Sequence, residues 1–398
     1  MSFRPPACAL LLLGVSLGLG PVGALGAQVH LREGVTVRSL ELAAARDSND
    51  PVALYDLALG YWSKKRWDDV ERTLGQTLAI EPRNAPALLA LAHLPFGRRP
   101  RLWAEQDRGN VPPEWQPALI EWDRLSRRAF FIDPLVDLQI VGAVAPKNTL
   151  LGHGGGDATP EQYAVVGLIN FRNAQYDQAF AWFDRLARVL GGEVDPSRIP
   201  DVVLWYRGLA AAHLNDIPAA LRDFQRLYAI ADSLDAPGQF VDPVLATYVY
   251  GYLLQRIGRS DEAAEIYRGV LARDLGLWMA HVQLARIYDE RAEWVEAIRE
   301  RRLALSADPE DPSLLLDLAI TLSKAGRPED AEPVLAQART GLPRNFRVPY
   351  FQGVVALQLD RPGAAREAFE RFLTLVPSRY TDEIAEVRGR LRALNGAR

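Results

Sequence analysis

The chain has 398 residues, with 46 lysine and arginine residues against 50 aspartate and glutamate residues, for a formal net charge of −4. This weak imbalance argues against general nucleic-acid binding, which requires clustered basic charge. Hydrophobic residues make up 48% of the sequence, which is enough for a core along the whole chain. Nearly all of the basic residues are arginine, which indicates a GC-rich and therefore bacterial coding sequence.

Residues 1–27 are predicted to be a secretory signal peptide. Arg4 supplies the positive charge, residues 9–20 form a short apolar run, and small residues follow it. An uncleaved anchor is the alternative, but the run is shorter than the roughly 20 apolar residues of a span and is broken by glycines. Cys8 is the only cysteine and would leave with the signal, so the exported chain would form no disulfide. We expect a periplasmic or secreted protein without an integral membrane span.

Residues 28–97 are predicted to contain a degenerate copy of a helix pair that is more regular downstream. Small and apolar residues fall at helical spacing, and a proline closes the unit; the residues are Leu57, Ala58, Tyr61, Leu74 and Pro82. Val70 stands where the downstream copies have alanine.

Residues 98–158 interrupt this pattern and are predicted to be a helical insertion followed by a glycine-rich joint. Prolines near residue 112 open a helical stretch, and residues 130–141 form a dense apolar block. We expect the insertion to pack on the rest of the chain. A docking or membrane-facing patch is the alternative, although acidic residues inside the block count against membrane insertion. Three consecutive glycines at 154–156 predict a flexible joint.

Small residues recur every 34 residues between 244 and 377. The columns are Ala263, Ala297, Ala331 and Ala365; Gly251, Ala285, Ala319 and Gly353; Gly258, Ala292 and Gly326; and Pro309, Pro343 and Pro377. A period of this length predicts stacked helix pairs, in which small residues allow close contact, glycines form the turns and prolines close each unit. Residues 159–243 carry degenerate copies at wider spacing.

These columns resemble the motif of the tetratricopeptide repeat family. One unit reads Leu318, Ala319, Leu322, Gly326, Ala331, Leu335, Ala338 and Pro343. The preceding unit departs from the motif at Arg301, where an aromatic residue is usual. The resemblance implies an all-α, right-handed superhelical solenoid of antiparallel helix pairs that binds protein or peptide segments. Residues 378–398 are predicted to form a capping helix over the last unit, since terminal elements of such arrays need a polar outer face.

If the units stack as they do in that family, their first helices line a concave groove. We expect a partner to contact aromatic residues and arginines on these helices: Tyr55, Trp62, Phe171, Arg172, Trp205, Tyr248, Tyr252, Arg256, Arg286 and Tyr350. The groove is also expected to include Val282, Leu316 and Ile320. Such side chains suit an extended or helical segment, whereas a clamp of lysines and asparagines for a C-terminal carboxylate is not expected. The alternative is that the chain itself fills the groove, with its middle segment or the residues after the signal.

The sequence predicts no catalytic, metal-binding or cofactor-binding motif. The glycines after His153 are similar to the oxyanion loop of some lipases, but the only nucleophile pattern surrounds Ser16 in the export signal. The histidines are dispersed without metal-ligand spacing. We therefore expect a non-enzymatic protein-interaction scaffold of the bacterial cell envelope. The alternatives are an accessory subunit of an envelope enzyme, secretion or transport complex and, less favoured, a hydrolase that uses residues 98–158.

Overall fold

The computed structural model describes residues 35–99, 113–136, 160–172, 174–191, 195–232 and 241–396. The predicted signal peptide, the glycine-rich joint and His153 lie outside these residues. All regular structure in the described part is helical, with 18 α-helices and no strand there. The predicted all-α class is therefore confirmed.

The helices are numbered in chain order. Their bounds are α1 Val37–Arg46, α2 Pro51–Ser63, α3 Trp67–Ile80, α4 Ala85–Arg98, α5 Gln116–Ile132, α6 Pro160–Arg172, α7 Tyr176–Val189, α8 Asp201–His213, α9 Ile217–Asp232, α10 Pro243–Arg256, α11 Ser260–Arg273, α12 Trp278–Glu290, α13 Trp294–Ala307, α14 Pro312–Lys324, α15 Pro328–Gly341, α16 Arg347–Gln358, α17 Pro362–Leu375 and α18 Thr381–Gly396.

The turns inside the helix pairs use left-handed backbone. Gly258 and Gly326 have φ angles of 78° and 70°, as the turn glycines predicted, and Asp360 has φ 54° at a turn without glycine. After Gly326, the Arg327 N–H donates to the Leu322 carbonyl at 2.9 Å. This is the Schellman arrangement, which satisfies carbonyls left over at a helix end.

The alanine column of the second helices lies in the buried interior. Completely buried alanines stand near the start of each second helix: Ala179, Ala220, Ala263, Ala297, Ala331 and Ala365. Because no room remains beside a residue without exposed surface in a close-packed interface, only a small side chain fits there.

At one pair of facing positions, a smaller residue on the first helix is combined with a larger side chain on the second. Where the first helix has glycine, the residue 16 positions later is aromatic: Gly167–Phe183, Gly208–Phe224, Gly251–Tyr267 and Gly353–Phe369. A Cβ placed on these glycines would lie 2.5 to 2.9 Å from the facing ring. Where the first helix has alanine, the second residue is not aromatic: Ala58–Leu74, Ala285–Arg301 and Ala319–Leu335.

The contacts divide the chain into two compact units, and each is described by itself. The first unit contains residues 62–67 and 88–273, and the second contains the described residues of 31–61, 68–87 and 274–398. In the first unit, α6–α7, α8–α9 and α10–α11 form successive antiparallel pairs, and α9 packs on α10. In the second unit the pairs are α12–α13, α14–α15 and α16–α17.

Helix α18 packs against the last pair of the second unit. Val387 is completely buried beside Phe369 and Phe372, and Ile384 and Leu391 pack on the same cluster. The helix therefore covers apolar surface that the α16–α17 pair would otherwise expose. None of the helices in the described ranges has both the length and the apolar character to cross a membrane.

Candidate functional site

Three of the aromatic residues predicted to contact a partner are buried among other rings of the first unit. The Trp62 ring lies edge-on to Trp67 at a centroid distance of 5.4 Å, and Phe171 lies edge-on to Tyr206 at 5.3 Å. Tyr248 has no exposed surface. A partner could reach these three side chains only if the helix packing around them opened.

Tyr248 is covered by helix α5, the described part of the predicted insertion. The Tyr248 hydroxyl donates to the Phe131 carbonyl at 2.7 Å, and the two rings meet edge-on at 5.4 Å. Nearby, Arg127 Nη1 donates to Asp242 Oδ2 at 3.1 Å. The chain's own middle segment therefore occupies part of the face of α10.

The other end of α5 is fixed to α4. The Trp122 indole N–H donates to His93 Nε2 at 3.3 Å, and His93 Nδ1 lies 2.8 Å from the Leu89 carbonyl. The His93 and Trp122 rings meet edge-on at 6.1 Å. Both rings are buried, so α5 is attached to the first unit at two places.

The face of α10 becomes more exposed along its length. Tyr248 is buried, Tyr252 one turn later is half-buried, and Arg256 at the end of the helix is exposed. On α8, Trp205 is half-buried with its ring 5.5 Å from the Phe224 ring. Among the predicted partner-binding residues of the first unit, Trp205, Tyr252 and Arg256 are therefore those with exposed surface. The side chain of Arg172 lies outside the described part.

The remaining predicted residues belong to the second unit. Arg286 on α12 is exposed, and Tyr55 is half-buried. The half-buried Tyr350 donates its hydroxyl to Glu386 at 3.1 Å. Burial and the Glu386 carboxylate together raise the pKa of Tyr350 above its ordinary value. Leu316 and Ile320, expected in the groove, lie instead in the buried cluster that α13 to α16 share, which corrects that expectation.

Sequence reasoning missed an arginine pocket in the second unit. Arg83, in the connection after α3, donates through Nε to Asp311 Oδ2 and through Nη1 to Asp317 Oδ2, each at 2.7 Å. Its guanidinium also lies over the Trp278 ring, 5.0 Å from the ring centroid. A planar cation held by two carboxylates and an aromatic face is a strongly specified contact.

Arg301, which stands where the repeat motif usually has an aromatic residue, is a second arginine beside the Asp317 carboxylate of this pocket. Its guanidinium donates to Asp289 Oδ2 at 2.8 Å, and Nη1 lies 3.5 Å from Asp317 Oδ2. Burial alone would raise the pKa of Asp317, but Arg83 and Arg301 outweigh it and hold that pKa below its usual value. In the sequence, Arg301 at a usually aromatic position of the repeat was therefore the one sign of the buried charges around Asp317.

Polar contacts continue along the same side of the second unit. They join the connections that flank α1 to α3 with those between the C-terminal helix pairs: Arg344 Nη2 to the Ser48 carbonyl at 2.5 Å, Asn345 Nδ2 to the Ile80 carbonyl at 3.0 Å, Ser378 N–H to Asp47 at 2.7 Å, and Arg379 to Asp50 at 3.1 Å. Charged and polar groups thus join the N-terminal helices of this unit to its C-terminal repeats.

The described residues offer no arrangement that indicates catalysis by a metal. Among them, no group of three or more histidine, cysteine, aspartate or glutamate side chains is placed to hold a metal ion. The buried His281 and Glu300 form a pair at 2.7 Å, and Glu300 also accepts from Arg299. These groups join helices of one repeat.

The successive antiparallel helix pairs of each unit have the architecture of a helix-pair solenoid. Two family models, both described as tetratricopeptide repeat, match residues 280–313 and 316–380. These matches fall on the units in which the alanine, glycine and proline columns are regular. Residues 280–313 and 316–380 of this chain therefore carry tetratricopeptide repeats.

Several known proteins share part of this chain. The type IV pilus assembly protein PilF of Pseudomonas aeruginosa is 34% identical over 127 residues, which cover 31% of this chain and 50% of PilF. A solved structure of PilW, described as a widely conserved type IV pilus biogenesis factor, is 18% identical over 58% of this chain and 99% of its own, with a TM-score of 0.44. A tetratricopeptide repeat protein from Parabacteroides merdae is 16% identical over 74% of this chain and 96% of its own, with a TM-score of 0.40. This chain spans about half the length of its curated relative PilF.

Proposed function

We propose that this protein is a non-catalytic scaffold of the cell envelope, which binds a segment of another protein on the face of α10. The observation that carries the proposal is the change in exposure along that face. Tyr248 is buried under the chain's own helix, whereas Tyr252 and Arg256 continue the same face toward solvent. The surface that binds an internal helix at one end is therefore available to a second segment at the other.

The chemistry of the open end suits protein recognition. Tyrosine and arginine are the side chains that most often dominate the energy of protein interfaces, because each combines apolar area with directional hydrogen bonding. The half-buried Trp205 on α8 adds aromatic surface in the same unit. Arg256 favours a partner segment with an acidic side chain or a free helix C-terminus.

The envelope setting is supported by two independent observations. The N-terminal 27 residues have the charged, apolar and small-residue order of an export signal. PilF, which shares 34% identity over half of its length, is named as an assembly protein of the type IV pilus. We therefore place this scaffold in the periplasm or outside the cell, within an envelope assembly; the partner's identity will decide whether that assembly is a pilus, a secretion system or an enzyme complex.

The proposal is tested with a double variant of the open end. Tyr252→Ala with Arg256→Glu should weaken capture of the native partner by about tenfold or more, which corresponds to about 1.4 kcal/mol. Arg268→Glu makes the same charge change on the exposed side of α11 in the same unit and serves as the matched control. Partner capture is measured by quantitative affinity purification from the native host, alongside thermal melting of each variant. Equal losses in the double variant and the control would contradict the proposed site.

A further inference from the structure

Helix α5 contacts α10 through a compact set of groups near its C-terminal end. Arg127 and Phe131 lie one turn apart, and the Arg127 guanidinium lies 5.7 Å from the centroid of the Phe131 ring. The same arginine pairs with Asp242 and the same phenylalanine packs on Tyr248. One turn of helix therefore supplies both the charged and the aromatic contact.

The receiving side of this contact is rigidly held. Asp242 caps α10, because its Oδ1 accepts from the Val244 N–H at 2.9 Å, and this leaves Oδ2 to accept from Arg127. Tyr248 donates to the Phe131 carbonyl, which is in the last turn of α5 and has no partner further along that helix. The surface thus recognises the C-terminal end of a helix rather than an extended strand.

Helix α5 buries two polar side-chain atoms that have no hydrogen-bond partner. Asp123 Oδ1 and Ser126 Oγ are buried and make no hydrogen bond. Burial raises the pKa of Asp123, and the nearby Asp242 carboxylate raises it further, while Arg127 opposes the change. A buried polar atom without a partner is unfavourable, so these two residues weaken the docking of α5.

We propose that α5 is a displaceable internal ligand of the α10 face. The partner that replaces it is an amphipathic helix with an arginine four residues before an aromatic residue in its last turn. This inference goes beyond the proposed function, because it concerns the end of α10 that α5 covers and not the open end at Tyr252 and Arg256. A partner helix without acidic and hydroxyl groups at the positions of Asp123 and Ser126 would make the same contacts as α5 without its unsatisfied atoms.

The test uses the full chain and a fluorescent peptide of residues 113–136 as the probe. Binding of the probe should be at least tenfold tighter to the Phe131→Ala protein than to the unmodified protein, because the internal competitor is weakened. Ser126→Ala removes a buried hydroxyl that has no hydrogen-bond partner and should act in the opposite direction, so that the probe binds more weakly than to the unmodified chain. A probe with its own arginine and phenylalanine changed to alanine is the control for specificity. Equal affinity of the probe for all three proteins would overturn the proposal.

A second measurement needs no variant that could fail to fold. In the unmodified chain, amide hydrogen exchange in α5 should be at least tenfold faster than in α10, because a displaceable helix opens more often than the helix that receives it. Equal protection of the two helices would show α5 to be a fixed part of the fold. That result would leave the proposed function standing, since the Tyr252→Ala, Arg256→Glu variant tests the open end of α10 separately.

Discussion

At the scale of single residues, the side chains at facing positions of two paired helices must together fill a fixed volume. The small column and the aromatic column of the motif are not independent choices. Four pairs combine glycine with an aromatic ring, and three pairs combine alanine with leucine or arginine. Since interiors are close-packed, one methyl group on the first helix must be offset by a smaller or more flexible side chain on the second.

Gly353→Ala tests this rule. The new Cβ would lie 2.5 Å from the Phe369 ring, so we expect a loss of about 1–3 kcal/mol in the free energy of unfolding. Adding Phe369→Leu should recover most of that loss, because it recreates the Ala319–Leu335 pair found one repeat earlier. Denaturant unfolding of the single and double variants measures both effects.

The control for that series is Gly389→Ala in α18. No atom lies within 4 Å of a Cβ at this position, so the substitution should stabilise the helix by about 0.5–1 kcal/mol. A Gly353→Ala protein that behaves like the Gly389→Ala protein would refute the compensation between the two columns.

At the scale of elements, the docking of α1 to α3 in the second unit depends on a small number of charges. Arg83, Asp311 and Asp317 are mostly buried, and Arg301 Nη1 also lies 3.5 Å from Asp317 Oδ2. A buried ion pair contributes little net stability relative to apolar residues, but removing one partner leaves the other charge uncompensated. The docking should therefore be specific and sensitive to single charge changes.

Asp317→Asn is expected to lower the free energy of unfolding by about 3 kcal/mol, because Arg83 and Arg301 would lose a shared carboxylate. The exposed pair of Arg361 and Glu332 provides the comparison, since Glu332→Gln should cost less than about 1 kcal/mol. Hydrogen exchange would locate the change: α1 to α3 should lose protection in Asp317→Asn and retain it in Glu332→Gln. Similar small effects in both proteins would argue against a role for the pocket in docking.

The stability that Asp317 provides should also depend on pH in a defined direction. Its pKa is lowered in the folded chain, so the contribution is fully present above the pKa of an unfolded aspartate, about 3.9, and is lost as pH falls through the folded value. The difference in unfolding free energy between the unmodified and Asp317→Asn proteins should be constant from pH 7 to pH 5 and decrease only below about pH 4. A decrease already between pH 7 and pH 5 would mean that the carboxylate is not held in its charged form.

The helix pairs of the regular repeats could be predicted from the sequence, whereas the positions of the non-repeating elements could not. The period of 34 residues identified the helix pairs, the turns at Gly258 and Gly326, and the buried alanines, because each follows from local geometry that every repeat shares. The positions of α5 and of Arg83 could not be predicted in this way. Their contacts join residues more than 100 positions apart, and neither Phe131 nor Arg83 belongs to a repeating column.

At the scale of the whole molecule, each of the two units covers part of its own helix surface. In the first unit α5 covers Tyr248, and in the second the N-terminal helices dock on the C-terminal repeats. The sequence left open whether the chain itself fills the predicted groove, and in the described residues α5 covers one of the residues predicted to line it, Tyr248. In the proposed function, the partner therefore binds a restricted surface of the first unit, the open end of α10.

The most direct measurement of the central claim is site-specific photo-crosslinking in the native host. A photoreactive residue is placed at Tyr252, at Arg256 and, as the control, at Gly269, which is exposed on α11 with open space around it. We predict that one discrete envelope protein is crosslinked from positions 252 and 256 and not from 269. Crosslinking of that protein from position 269 alone, or with equal yield from all three positions, would contradict a binding site on the face of α10.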